Sequence, residues 1–257
     1  MAFTEQQLLD WVTTLVLPLF RISGLLMSMM VIGTQSVPAR IRAALALALT
    51  VMVLPILPAM PKVDLFSLNG FYLSAQESMI GIIIGFVTRM FFQIFVIGGQ
   101  LVAMQSGLGF ASLVDPVNGL NVPVVSQFYL MLATLLFVIF NGHVFMIELI
   151  VHSFTSLPVG QGIRLPNIQA IVDWGGIMFS GALLMALAAA LSLLMINLAF
   201  GVMTRAAPQL NLFALGFPIT MVTGLVIIWV TLAGFLGHFE NYYQASVELM
   251  CQLVNGC

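Results

Sequence analysis

Charge is what this sequence has least of. Seven Lys and Arg and nine Asp and Glu are spread over 257 residues, or 6%, where a soluble domain carries about 25%. With 61% hydrophobic residues and a mean hydropathy of +1.13, almost every residue of a soluble globule would have to be inside. That excludes a water-soluble fold and requires an outer surface that meets lipid or other apolar protein. A net charge of −2 without any Lys/Arg run excludes a nucleic-acid binder working through phosphate contacts. Cysteine is nearly absent. Cys251 and Cys257 both lie within the last seven residues, cannot build a disulfide framework, and are expected as two free thiols. There is no Gly-x-Ser-x-Gly and no Gly-x-x-x-x-Gly-Lys, and three histidines leave little from which to assemble catalysis. An enzyme is the poor reading.

What remains is a set of long apolar runs. No charge falls in Ala43–Pro61 (19 residues), Pro116–Ile147 (32), Trp174–Thr204 (31) or Ala206–Phe239 (34). Since a spanning helix needs about 20 residues, Pro and Gly punctuation divides the chain into six apolar helices near 12–34, 41–59, 71–104, 127–156, 175–204 and 213–237. A short polar tail, 238–257, follows and is expected to be helical at its start. Met1–Trp11 carries Glu5 and Asp10 but no basic residue. A cleavable signal is therefore not expected, and Val12–Thr34 should remain as a helix, kinked at Pro18 beside Arg21. The third run, Phe71–Met104, has no proline and would extend roughly 51 Å as a helix. A hydrocarbon core of about 30 Å cannot contain it upright, so it must tilt, bend or leave the bilayer. The Lys and Arg of the connections fall almost evenly on the two sides and do not orient the protein.

The connection Gln105–Ser126 differs from the others. Gly107, Gly109, Gly119, Pro116 and Pro123 break any helix, yet Leu108, Phe110, Leu113, Val114, Leu120 and Val122 are apolar and Asp115 is the one charge. A solvated loop would be more polar. Irregular apolar backbone at membrane depth is tolerated only inside protein or along a cavity.

Polar residues in apolar helices are the usual pointers to function. Arg89, Gln93 and Gln100 fall within about 40° of one another on a helical wheel and form one stripe. It faces either an aqueous path or a neighbouring helix or subunit, and a subunit contact is the commoner reason for such a stripe. Glu77 precedes Arg89 by twelve residues, too far along and around the helix to pair with it, so each needs a partner elsewhere. Gly81-x-x-x-Gly85 is a small-residue motif that permits close helix approach. His143 and His152 point to opposite sides of a helix; only Glu148 and His152 share a face, so no metal site is expected. The 17 methionines mostly fill helix contacts, with Met104 the best placed to form a soft gasket around a passage.

Several blocks carry a family resemblance. They are Pro18-x-x-Arg21, Pro38-x-Arg40-x-Arg42, Gly107-x-Gly-Phe110 with Asp115-Pro116 and Asn121-Val-Pro123, Phe140-Asn141-Gly142-His143, and Leu157-Pro158. The most specific is Ala207-Pro208-Gln209-Leu-Asn211-Leu-Phe213 followed by Gly216-Phe217-Pro218. In order and over nearly the whole length, the chain resembles the FliR family of type III secretion export-gate subunits. The resemblance implies an all-α integral membrane protein of about six long, partly bent helices in hairpins, with an irregular plug between the third and fourth.

It further implies a FliP-like part (1–173) followed by a FliQ-like hairpin and tail (174–257). The plug would be 105–123, with Met104, Gly107, Gly109, Phe110, Asp115, Pro116, Asn121 and Pro123. Implied partners are FliP-like and FliQ-like subunits in one hetero-oligomeric gate, FlhB-like and FlhA-like export components, membrane lipid, and the unfolded flagellar proteins that pass through. No cofactor and no nucleic acid are implied. The location would be the bacterial inner membrane within the flagellar basal body, with much of the assembly towards the periplasm. A small-solute transporter or channel using Glu77 and Arg89 is the rival reading.

Overall fold

The computed structural model describes residues 5–34, 37–61, 63–110, 112–114, 121–162, 165–206 and 216–256. Eight α-helices carry almost all of them: α1 (Glu5–Ser28), α2 (Ala39–Val53), α3 (Leu68–Gln105), α4 (Val124–Ile139), α5 (Gly142–Ser156), α6 (Leu165–Ala206), α7 (Phe217–Thr231) and α8 (Phe235–Leu253). Five spans among the described residues are long and apolar enough to cross a bilayer, or six if the bent α4–α5 pair counts as one. The all-α membrane fold expected from composition is what forms. The third helix is longer than the apolar run alone implies: 38 residues, about 57 Å.

The helices group into two compact units. One comprises Met1–Arg89, Phe137–Trp174 and Ser246–Cys257, the other Met90–Leu136 and Gly175–Ala245. In the first unit α1 and the turn that ends it bury Ile22, Leu25, Leu26 and Met29, spaced i, i+3, i+4 and i+7 as one face of a helix requires. That face lies directly on α3. A methyl group on Gly81 would overlap the Arg21 carbonyl, and one on Gly85 would overlap the Ser28 hydroxyl. The small-residue motif is thus a backbone-to-backbone crossing within this chain, at a separation that only glycine allows.

In the second unit the core is aromatic. Phe91 meets Phe95 and Phe239 edge-on, each at 5.4 Å, Phe95 meets Phe235 at 5.2 Å, and Phe235 meets Tyr129 at 5.5 Å. Each such pair contributes about 0.5–1.5 kcal/mol beyond its buried area.

Three expectations are corrected. The fourth apolar run is two helices bent by 62°. Asn141 adopts φ 55, a left-handed conformation that asparagine tolerates better than most residues, and Gly142 then slides beneath the Phe137 ring. The polar tail is a 19-residue helix, α8, separated from α7 by a 3-10 turn at Leu232–Gly234. Its polar residues Glu240, Asn241, Gln244 and Glu248 are exposed while Phe239, Ser246, Leu249, Met250 and Leu253 are buried, so it is amphipathic rather than polar. Cys251 is disulfide-bonded, not a free thiol; Cys257 lies outside the described residues. The physical reason is the cap of α8. Gly256 donates to the Cys251 carbonyl (2.8 Å) and Asn255 to that of Gln252 (3.2 Å), the two bonds of a Schellman turn, which fold the chain back over Cys251.

Coverage of the helices is unequal. Of the α3 span 67% is buried, against 11% for Ala39–Ile56, 22% for Asn167–Met203 and 17% for Phe217–Leu253. A helix apolar all round belongs inside protein or lipid; among the described spans α3 is the most enclosed, followed by Trp11–Ser28 at 50%.

Candidate functional site

Two places combine polar groups with apolar surroundings. The first is centred on Arg21 and Glu77, both fully buried and joined Nε to Oε2 at 2.5 Å. The same guanidinium donates through Nη1 to the carbonyls of Ser153 (2.9 Å) and Leu157 (3.0 Å) and to the Ser153 hydroxyl (3.1 Å). It stacks 4.2 Å above the Phe154 ring. One charge therefore ties α1 to α3 and to the C-terminal end of α5, which has no basic residue of its own in its last turn. A cation there satisfies carbonyls that the helix leaves unpaired and meets the negative end of its dipole.

Arg89 repeats the device. Its Nε donates to the Ser28 carbonyl (2.6 Å) and Nη2 to that of Met27 (3.4 Å), at the end of α1, whose last turn also lacks a basic residue. The two charges of the transporter reading are thus both engaged within the fold, Glu77 by Arg21 and Arg89 by α1. Gln93 and Gln100 are half-buried on the same helix and have no hydrogen-bond partner among the described residues. Glu148 and His152 are both exposed on α5.

The second place is the root of the irregular connection, within the second unit. α3 ends as Ser106 Oγ donates to the Ala103 carbonyl (3.1 Å) and Asn197 Nδ2 on α6 donates to that of Gln105 (3.2 Å). Gly107 leaves the helix with φ 74, the left-handed exit for which glycine is favoured. Beyond a 3-10 turn at Leu108–Phe110, part of the connection is ordered as a ribbon. Ser112–Val114 pairs antiparallel with Asn121–Pro123, in the register Ser112 to Pro123, Leu113 to Val122 and Val114 to Asn121. Gly109 lies close to Met104, which is 73% exposed on the last turn of α3. Asp115 and Pro116 lie outside the described residues, as do the side chains of Phe110 and Asn121. Pro208, Gln209, Asn211 and Phe213 are likewise outside. Gly216 is the buried N-cap of α7 and Pro218 stands in its first turn, where a missing N–H costs nothing.

Residues 12–246 match the family model described as bacterial export proteins, family 1. The chain belongs to the FliR family of bacterial export proteins. It is 34% identical to the flagellar biosynthetic protein FliR of Escherichia coli K12, over 98% of this chain and 97% of that one. It is 32% identical to the FliR of Pectobacterium carotovorum, over 99% and 97%, and 30% identical to that of Aquifex aeolicus, over 91% of each. Membership makes this FliR-family chain a membrane component of the flagellar export apparatus.

Sequence reasoning found Glu77, Arg89 and the irregular segment but did not join Glu77 to Arg21; it missed Ser153, Phe154 and Asn197, and had Phe217 only as part of the family block. Arg21 and Glu77 stood as two opposite charges without partners in apolar helices, which was the available signal for their pairing.

Proposed function

We propose that this chain is a noncatalytic wall subunit of the flagellar export gate, the passage by which unfolded flagellar proteins leave the cytoplasm. The observation that carries this is the bare apolar surface. Windows of 37 residues on α6 and on α7–α8 bury only about a fifth of their length, yet at roughly 55 Å they exceed the bilayer's apolar core. Lipid alone does not cover such helices, so neighbouring subunits do. FliP-like and FliQ-like chains would supply the cover, and Gln93 and Gln100 would find partners there. The chain would divide near Trp174 into a FliP-like part and a FliQ-like hairpin. The gate would stand in the inner membrane within the basal body, extending towards the periplasm, with FlhB-like and FlhA-like components at its entrance. The segment 105–123 would be a plug whose apolar side chains keep the idle passage dry.

The experiment has two arms. The chain made alone in detergent should aggregate, and co-expression with FliP-like and FliQ-like chains should give one large complex; a stable, monodisperse monomer would refute the subunit reading. Deleting Gly109–Asn121 should leave the complex recoverable while small ions leak across the membrane. Loss of the complex without a leak would make the segment a packed connector.

A further inference from the structure

Resting on the reading of 105–123 as a plug, we infer that the start of α7, together with Asn197 of α6, is the latch that holds the plug's root. Three contacts converge on the three residues where α3 gives way to the segment. Asn197 takes the carbonyl of Gln105 at 3.2 Å. Ser106, fully buried, lies against the α7 backbone so closely that a Cβ on Gly224 would stand 2.6 Å from its Cβ. Gly107 presses on the Phe217 ring, where an added Cβ would sit 3.1 Å from Cε2 and 3.8 Å from the Thr220 hydroxyl oxygen. Phe217, Thr220 and Gly224 recur at i, i+3 and i+7, one face of α7. That single face sets the direction in which the chain departs from α3.

The other end of the segment is fixed separately. Gly99 of α3 lies against the backbone of Ser126 at the start of α4, where an added Cβ would be 2.6 Å from the Ser126 Cα. Both ends are therefore pinned to the last turns of α3, and the ribbon between them is held as one arm by its pairing. Gly107 is the pivot of that arm. Its left-handed conformation places the following residues by a single pair of dihedrals, and a ring edge lying against it opposes their rotation. Phe217 sits one residue after Gly216 and one before Pro218, so the family's most specific block leads into the latch. A shift of the first turn of α7 would be transmitted to the plug directly through these contacts.

The test uses the full complex, co-expressed with its partner subunits, and measures complex recovery and ion leak on the same strains. Phe217→Ala and Asn197→Ala should each raise leakage severalfold with the complex recovered. Neither should raise it further once Gly109–Asn121 is deleted, because the latch acts only through the arm it holds. If Phe217→Ala impairs assembly, Asn197→Ala, which removes one hydrogen bond on another helix, carries the same test. A leaking deletion beside two tight point variants overturns the latch and leaves the plug standing. Leakage that adds to that of the deletion assigns these residues to the wall and also overturns it. A deletion that is tight in an intact complex refutes the plug itself.

Discussion

Replacing Glu77 by Leu leaves the Arg21 guanidinium inside the first unit with its hydrogen bonds to α5 but no counter-charge. Arg21 and Glu77 are both at 0% exposure, so water does not compensate. Removing one partner of such a pair costs about 3–5 kcal/mol. For a chain of this size each kcal/mol moves the unfolding midpoint by roughly 2–4 °C, so the purified complex should lose about 6–20 °C. Arg21→Met with Glu77→Leu removes the stranded charge as well. What remains is the loss of donors to the Ser153 and Leu157 carbonyls, worth about 1–3 kcal/mol, so the double variant should be the more stable of the two. The assay is thermal denaturation of the co-expressed complex in one detergent, with the parent, Glu77→Leu, Arg21→Met and the double variant compared. A Glu77→Leu midpoint within about 3 °C of the parent, or a double variant that falls by the sum of the two single losses, would refute the reasoning.

Gly81→Leu should abolish accumulation of the chain in membranes, measured by its yield in the membrane fraction, because a side chain at the α1 crossing meets backbone that cannot yield. Phe239→Ala removes a fully buried ring from the aromatic cluster and should lower stability by about 3–5 kcal/mol; a midpoint unchanged from the parent would show that the cluster does not hold the second unit together. Arg89→Gln leaves α1 without its cationic cap and should cost about 0.3–2 kcal/mol, seen as a small midpoint shift with the complex still formed. His152→Ala, exposed on α5, should leave flagellar export at the parental level in a swimming assay.

The sequence alone determined that this is a helical membrane protein, because 6% charge and four long uncharged runs permit no other way to satisfy the backbone in lipid. It also marked where the helices stop for the third connection, since glycine and proline act locally. Family membership was legible for a similar reason: motif blocks such as Gly216-Phe217-Pro218 are read in order along the chain. Partnership was not legible. Arg21 and Glu77 are 56 residues apart, and neither position says which other helix it will meet; only the glycine crossing of α1 on α3 brings them together. The same holds for Phe91 and Phe239, whose rings touch although α8 reads as a polar tail. Its apolar face shows only at a period of 3.6, and only packing reveals what that face covers. The break at Asn141 carried a local mark, since Asn141-Gly142 is a turn dipeptide, but the 62° angle between α4 and α5 is not written in it. Composition and pattern act over a few residues and fix the kind of element. Which elements touch depends on side-chain shape across the whole chain, and that was decided only in the tertiary fold.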